Sequence, residues 1–386
     1  MLLIASEKSK RSRAVSNIVR ELSLSLTIFA SPATFAELMG GRARRIVLLT
    51  EADISDSIVD SLRNADPGTE YGVIVAADRD SPKDSTIIGA LEHLAQLDNV
   101  EWIDPAFDYG SLSEAARNCR RRMLRVSRDD LEESLHERRF FVQYQPKVER
   151  SSTAEWRTRE AEALVRWRHP EHGQVGPLEF LPEMEEFGLM GRLTDFVLDE
   201  SAAQLVRWKL KGIELSICIN LASSQLSDKQ LVARCEEIVG RFRLPCSTFT
   251  FEVAEQNLAD PDAPHLETLA NLRAKGFRLC LDGFRVTAAS LASLERLPFD
   301  EVKIQASAIA HAKNDPVKLK VLAAIIGLAH NLGMTVCAEG IEDMETFEFL
   351  KTIQCDKMQG FLISEAVMPK LLRKVYGPGS KSERVA

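Results

Sequence analysis

Hydrophobic positions in the C-terminal two thirds of this chain fall into short apolar runs that close on a polar residue. Stretches of helical periodicity separate them. Leu279-Cys280-Leu281 closes on Asp282, with Gly283-Phe284 after it; Leu215-Ser216-Ile217-Cys218-Ile219 closes on Asn220; Thr335-Val336-Cys337-Ala338 closes on Glu339. Glu162 sits in Arg159-Glu160-Ala161-Glu162-Ala163-Leu164, Glu252 in Phe249-Thr250-Phe251-Glu252-Val253, Lys303 in Glu301-Val302-Lys303-Ile304, and Gln359 precedes Gly360-Phe361. Strand alternating with helix over residues 135–372 predicts a (β/α)8-type barrel, whose strand ends converge on one mouth. A mouth rich in carboxylates and containing an Asn suits a hard divalent cation such as Mg²⁺.

Residues 1–122 repeat the alternation on a smaller scale. Apolar runs at 2–5, 46–49, 72–76 and 100–103, with helical segments such as 9–22 and 81–96 between them, predict an α/β, doubly wound domain. A helical linker over 123–134, part of one charged helix across about 112–138 with Arg and Glu spaced for i,i+4 pairing, joins the two domains. The tail, 373–386, containing Gly377-Pro378-Gly379-Ser380, reads as disordered. The size and order of the first domain resemble a response-regulator receiver. Its phosphoacceptor chemistry is missing, however. Ser6-Glu7 stands for the acidic pair, Leu48-Leu49-Thr50-Glu51 ends the third strand without the acceptor Asp, Ala76-Ala77 replaces the hydroxyl, and Asp104-Pro105 replaces the Lys-Pro. Acyl-phosphate chemistry needs that carboxylate, a bound cation and the lysine together. The expectation is a pseudo-receiver used for dimerisation or partner docking.

Composition narrows the classes. The chain has 386 residues, 45% hydrophobic and 27% charged, with a net charge of −8, so a sizeable core can form and affinity for a nucleic-acid polymer is disfavoured. No apolar stretch is long enough to span a bilayer, and Met1-Leu2-Leu3-Ile4-Ala5-Ser6-Glu7 lacks the basic region of a signal peptide, so no membrane insertion and a cytoplasmic location are expected. Seven cysteines form no CxxC pair; Cys218, Cys280 and Cys337 lie in apolar strands and read as buried reduced thiols, and Cys235 and Cys246 as inert. Arg120-Arg121-Arg122 reads as a solvated helix end, residues 179–186 as a solvated helix face anchored by Phe180, Leu181 and Met184, and His330 as a satisfied histidine. In His169-Pro170-Glu171-His172 the proline and Gly173 predict a turn, not a metal site.

Residues 135–370 resemble the EAL family of cyclic di-GMP phosphodiesterases. Tyr144-Gln145-Pro146, Glu162-Ala163-Leu164 followed by Val165-Arg166-Trp167-Arg168-His169-Pro170, Asn220-Leu221-Ala222-Ser223, Glu252-Val253-Ala254-Glu255, Val302-Lys303-Ile304, Ala338-Glu339-Gly340-Ile341-Glu342 and Gln359-Gly360-Phe361 match in order. The resemblance implies that Glu162, Asn220, Glu252 and Asp282 bind Mg²⁺ or Mn²⁺, that Lys303 positions and activates the attacking water, and that Glu339 and Gln359 sit beside a second metal and the substrate. It further implies that Glu255 holds the loop after the Asp pair. Gln145, Leu164, Arg166, Pro177 and Gln359 match positions that contact cyclic di-GMP, and Phe361 offers an aromatic surface near a base. A homodimer is also implied.

The departures cluster. The family reads Asp-Asp-Phe-Gly-Thr-Gly where this chain reads Asp282-Gly283-Phe284-Arg285-Val286-Thr287, so the carboxylate that bridges two ions is gone, and Arg285 adds positive charge there. Gln305 replaces a further Asp, and Ser364-Glu365-Ala366-Val367 replaces a Ser-Lys-Pro-like ending. Two-metal hydrolysis needs both ions, about 3.5–4 Å apart. The expectation is therefore a non-catalytic signalling protein acting by protein–protein contacts, with cyclic di-GMP as a candidate ligand. The alternative is a slow, metal-dependent phosphodiesterase that yields linear pGpG.

Overall fold

The computed structural model describes residues 2–6, 15, 25–39, 44–65, 70–77, 88–97, 99–150, 155–255, 265–284, 299–305, 309 and 315–376. They form two compact units, Met1–Leu131 with Arg168–Glu183, and Glu132–Trp167 with Met184–Ala386. The division is thus not a single cut at 122–134: the segment after the Glu162 strand groups with the first unit.

The first unit holds a five-stranded sheet of β1 (Leu2–Ser6), β2 (Ser25–Phe29), β3 (Arg44–Thr50), β4 (Glu70–Ala76) and β5 (Val100–Ile103). The order is β2-β1-β3-β4-β5 and all pairings are parallel, the order of a doubly wound sheet. Period-two alternation sends Ile4, Val47, Leu49, Val73 and Val75 to one face, against α1 (Pro32–Met39), α2 (Asp56–Arg63) and α3 (Ile88–Leu94). Leu3, Ala5, Ile46, Leu48 and Ile74 face the other way, against α4 (Tyr109–Leu124). The strand over 25–29 is an addition to the sequence reading. The helix expected at 9–22 lies outside the described residues except for Val15, as do Glu7 and the first half of the helix expected at 81–96.

The long helix expected over 112–138 is broken. α4 ends at Arg125, whose φ of 44° lies in the left-handed region, and α5 (Arg128–His136) starts anew. Within the arginine run Arg121 and Arg122 are exposed, as expected of a solvated helix end, but Arg120 is not. Arg120 is 4% exposed, its Nε lies 3.2 Å from Glu179 Oε1, and it donates to the Gln174 carbonyl at 2.7 Å. Arg121 pairs with Glu183 at 2.7 Å and Arg122 with Glu101. Glu179 is itself buried, so the face expected to be solvated on α6 (Pro177–Glu186) is partly an ion-paired one, although Phe180 and Met184 anchor it as expected. Burial of a charge is tolerable only with such a partner. His169 caps its own turn, accepting from the backbone N–H groups of Glu171 and His172, which fits the non-metal reading.

The second unit is an eight-stranded barrel of β6 (Phe140–Arg150), β7 (Trp156–His169), β9 (Ser216–Leu221), β10 (Phe249–Ala254), β11 (Arg278–Asp282), β12 (Glu301–Ile304), β13 (Thr335–Ala338) and β14 (Lys357–Gln359). The short β8 (Gly173–Val175) follows β7. Strand order runs β6-β14-β13-β12-β11-β10-β9-β7, and β6–β7 pairing closes the circle. One feature departs from a regular (β/α)8 barrel. β6 is antiparallel to both neighbours, because it forms a hairpin with β7 and no crossover helix intervenes. Outside lie α7 (Met190–Lys209), α8 (Ser223–Leu226), α9 (Leu231–Arg241), α10 (His265–Ala274), α11 (Pro316–Asn331), α12 (Met344–Thr352) and α13 (Pro369–Tyr376). The last helix runs past the expected start of a disordered tail at 373; residues 377–386 lie outside the described residues. His330 on α11 pairs with Asp356 at 2.7 Å. No helix among the described residues is long and apolar enough to cross a membrane.

Candidate functional site at the barrel mouth

Side chains two residues apart on a strand share a face. Each barrel strand therefore presents its interior residues in layers. The mouth layer is Gln145, Glu162, Asn220, Glu252, Asp282, Lys303, Glu339 and Gln359, and the layer beneath is Lys147, Glu160, Cys218, Thr250, Cys280, Glu301, Cys337 and Lys357. The reversed β6 obeys the same rule with its numbering inverted.

The mouth residues meet. Lys303 Nζ lies 2.9 Å from Glu252 Oε2, 3.4 Å from Glu162 Oε2, 3.4 Å from Glu339 Oε2 and 3.8 Å from Asp282 Oδ1. Glu162 accepts from Asn220 Nδ2 at 2.8 Å and from Gln359 Nε2 at 2.9 Å, and Gln359 also donates to Gln145 Oε1 at 3.1 Å. Burial alone would raise the Glu162 carboxyl, but the ammonium of Lys303, that of Lys147 and the two amide donors hold it down to about 2. Burial lifts Asp282 and Glu339 above their ordinary values, with Lys303 only partly opposing. Gly360 lets this wall form: a Cβ there would stand 2.2 Å from the backbone N and O of Ile341, whose N–H binds the Gln359 carbonyl at 3.0 Å.

The layer beneath is where sequence reasoning stopped short. Lys147 Nζ, fully buried, lies 2.7 Å from Glu252 Oε1, 3.2 Å from Glu301 Oε1 and 3.0 Å from Cys218 Sγ, and Lys357 Nζ lies 3.0 Å from Glu160 and 2.5 Å from Glu301. The β6–β7 ladder shifts register beside the Lys147–Glu160 pair. Glu252, Cys280 and Glu301 bring three donor atoms within 4.8 Å of one another, but Lys147 already serves two of them. The signal for this layer was available: counting back two residues from each mouth residue, or forward two from Gln145 on the reversed β6, reaches it. Cys218, Cys280 and Cys337 are buried as expected, and burial pushes their thiols well up. The same cause pushes Cys235 up to about 12.

The remaining sequence-predicted residues are spread more widely. Leu164 and Arg166 continue β7 half-buried, and Arg166 donates to the Val165 carbonyl at 2.9 Å. Phe361, 47% exposed, follows the Gln359 wall. Glu255 is half-buried just past β10. Pro177 opens α6 in the segment grouped with the first unit. Residues 285–298, including Arg285 and Thr287, lie outside the described residues.

The donor set fits one hard divalent ion. Asp282 Oδ1 is buried with no hydrogen-bond partner among the described residues, and the Asn220 side-chain oxygen and Glu339 stand in the same layer. Among the described residues, position 283 offers no carboxylate to bridge a second ion. Residue 283 is a glycine at φ 71°, with Gln305 Nε2 the nearest group to where its Cβ would be, at 3.6 Å.

The sequence pattern of the EAL domain matches residues 128–366. The chain belongs to the EAL domain family. Over 233 residues it is 33% identical to the Pseudomonas aeruginosa protein named cyclic di-GMP phosphodiesterase PA2567, covering 60% of this chain and 39% of that one. It is 29% identical over 249 residues to the Escherichia coli cyclic di-GMP phosphodiesterase PdeR, covering 64% of this chain and 37% of the relative. The chain thus spans well under half the length of these curated relatives. The solved PaMucR phosphodiesterase in complex with c-di-GMP superposes with a TM-score of 0.58 at 32% identity, over 63% of this chain and 98% of that one. The match falls on the EAL barrel and leaves most of the first unit outside it.

Proposed function

We propose that this EAL protein is a non-catalytic signalling protein that works through protein–protein contacts and retains cyclic di-GMP as the ligand that gates them, with the first unit a receiver-like docking or dimerisation domain that takes no phosphoryl group. The observation that carries the loss of turnover is Gly283. Two-metal hydrolysis relies on a carboxylate shared by both ions, and here that position supplies hydrogen in a glycine-type backbone conformation. Losing one member of a group that acts as a unit costs several orders of magnitude in rate. Lys303 and Glu339 are then vestigial catalytic residues; Glu162, Asn220, Glu252 and Asp282 are the remnant of one metal site for Mg²⁺ or Mn²⁺; and Glu255 remains as the support of the altered loop. For the nucleotide, Arg166 offers a guanidinium suited to a phosphate, Phe361 an exposed ring, and Gln145, Leu164, Pro177 and Gln359 the remaining contacts.

A single preparation tests this by two measurements. Incubation with cyclic di-GMP and Mg²⁺ or Mn²⁺ should yield no linear product, while calorimetric titration should show binding that Arg166→Ala weakens about tenfold or more, the loss of one charge-assisted contact. Turnover abolished by Glu162→Ala would overturn the reading in favour of a slow phosphodiesterase producing linear pGpG. That second reading has its own support in Asp282 Oδ1, which has no hydrogen-bond partner among the described residues and only the Lys303 ammonium nearby at 3.8 Å, beside Glu162, Asn220 and Glu252. Absence of binding heat up to millimolar nucleotide would leave a scaffold that acts by contacts alone.

A further inference from the structure

The segment that leaves β7 is held by arginines from far earlier in the chain. Within the first unit, which takes in Arg168–Glu183, Arg44 donates to the Glu171 carbonyl at 3.0 Å, Arg120 to the Gln174 carbonyl at 2.7 Å, and Arg121 to Glu183 at 2.7 Å. Exposure ranks these grips. The Glu171 side chain is 72% exposed and that of Arg121 42%, so the ion pairs they make contribute little. The side chains of Arg120 and Glu179 are 5% and 1% exposed, with Nε and Oε1 3.2 Å apart. A buried pair of that kind is costly to break from one side, because the charge left behind has no water to turn to. Glu179 passes the hold on, since its Oε2 accepts the Gly176 N–H at 3.1 Å. Gln174 is the middle residue of β8, which neighbours β7 in the barrel sheet. Beyond Ala163, β7 pairs with β6 and β8 but not, among the described residues, with β9. The stretch from Leu164 onward is thus the part of the strand that a shift of β8 would reach.

We propose that Arg120 is a regulatory latch: it ties α4 of the first unit to β8, so an event that moves α4, such as a partner docking on the first unit, loosens β8 and with it the end of β7 that carries Leu164 and Arg166. The latch deepens the function proposed above and rests on it only where Leu164 and Arg166 are assigned to cyclic di-GMP. Val175 and Phe180 in the same segment are also buried, and apolar anchoring by them is the rival account of what holds it.

Hydrogen exchange of the full chain, resolved by peptide mass spectrometry, tests the latch without nucleotide. Arg120→Met keeps an unbranched side chain and removes the charge. It should speed exchange of the amides of 173–183 and of 164–167 by about tenfold or more, while the amides of β9 and β10 keep their wild-type rates. Glu179→Gln breaks the pair from the other side, keeps an acceptor for Gly176, and should do the same. Arg120→Lys, which retains a charge for Glu179, should lie nearer the wild type. Unchanged exchange at 164–167 in Arg120→Met and Glu179→Gln would overturn the latch in favour of apolar anchoring. An equal rise in β9 and β10 would overturn it too, as the mark of general loosening. If Arg120→Met does not fold, Glu179→Gln decides alone. Calorimetric titration with cyclic di-GMP then separates the latch from the reading it extends. Arg120→Met and Glu179→Gln should bind about tenfold more weakly than the wild type. Variants that bind as tightly as a binding wild type would overturn the link to the nucleotide. A wild type without binding heat would instead overturn the ligand assignment, and exchange at 164–167 would still decide the latch.

Discussion

The floor and the mouth of the barrel interior are built by the same eight strands, share Glu252, and lie one side-chain layer apart, yet their charge is handled oppositely. In the floor, Lys147 and Lys357 face Glu160 and Glu301, all buried, with contacts of 2.5 to 3.6 Å. In the mouth, Lys303 is the one cation among the described residues that faces Glu162, Asp282 and Glu339, and the last two are partly open to solvent. A sealed, balanced layer can only hold the barrel together. An unsealed layer with surplus negative charge among the described residues can exchange partners, and so it is the layer to which the proposed function is assigned. The family's motif residues lie mostly in the mouth, but the integrity of the wall beneath them depends on lysines that no motif names.

The strongest way to break this contrast is to remove the central floor cation. Lys147→Met leaves Glu160, Glu252 and Glu301 short of an ammonium in a fully buried site, and stability should fall by about 3–5 kcal/mol. Urea unfolding monitored by tryptophan fluorescence measures it. A loss below about 1 kcal/mol would mean that the floor relaxes or hydrates as readily as the mouth, and the distinction between the two layers would be lost.

A smaller effect is expected at Gly283, where backbone rather than charge decides. At φ 71° an L-residue is strained by left-handed geometry, so Gly283→Ala should cost about 1–2 kcal/mol although the added Cβ would meet Gln305 Nε2 only at an ordinary contact distance of 3.6 Å. Gly283→Asp should cost less, because Asp tolerates that region better. It should still not produce turnover, because the loop's other family positions differ too. Measurable hydrolysis of cyclic di-GMP by Gly283→Asp would show instead that the mouth is one carboxylate away from activity.

Much of the mouth was legible in the sequence because its residues end or interrupt apolar strands, where a polar side chain is costly to bury unless it opens onto a site with polar partners. Glu162, Asn220, Glu252, Asp282, Lys303, Glu339 and Gln359 do converge. The floor was not read, for a physical reason. Lys147, Glu160, Glu301 and Lys357 lie mid-strand or at strand starts, and a charged residue in an alternating strand ordinarily faces water. Only ring closure turns that face inward, and closure is a long-range property. The reversed β6 was hidden likewise, since a hairpin and a crossover can carry the same apolar run. Arg120 misled in a similar way: an arginine triplet near a helix end suggests solvent, and its buried partner Glu179 lies far along the chain.

The smallest expected effect lies at the rim of the mouth, and its sign separates the solvent-facing rim carboxylates from the lysine-paired glutamates deeper in the barrel. Burial lifts Asp282 above its ordinary 3.8 and Glu339 above 4.5. An acid whose folded value is raised binds more proton when folded, so its contribution to stability grows on acidification through the interval just above the ordinary value. Glu160 and Glu162 have the opposite sign. Lysines outweigh burial and hold both below 4.5, Glu162 at about 2, so the stability they give is complete above 4.5 and is lost as pH falls toward 2. Asp282→Asn should therefore change stability at pH 7 by no more than about 0.5 kcal/mol. The difference between the variant's pH–midpoint curve and the wild type's should show a gain for the wild type on acidification toward about 4, while the steep loss below 4.5 persists in both. If Asp282→Asn removed the steep acid loss instead, the charge that binds the barrel together would lie at the solvent-facing rim and not on the lysine-paired Glu160 and Glu162.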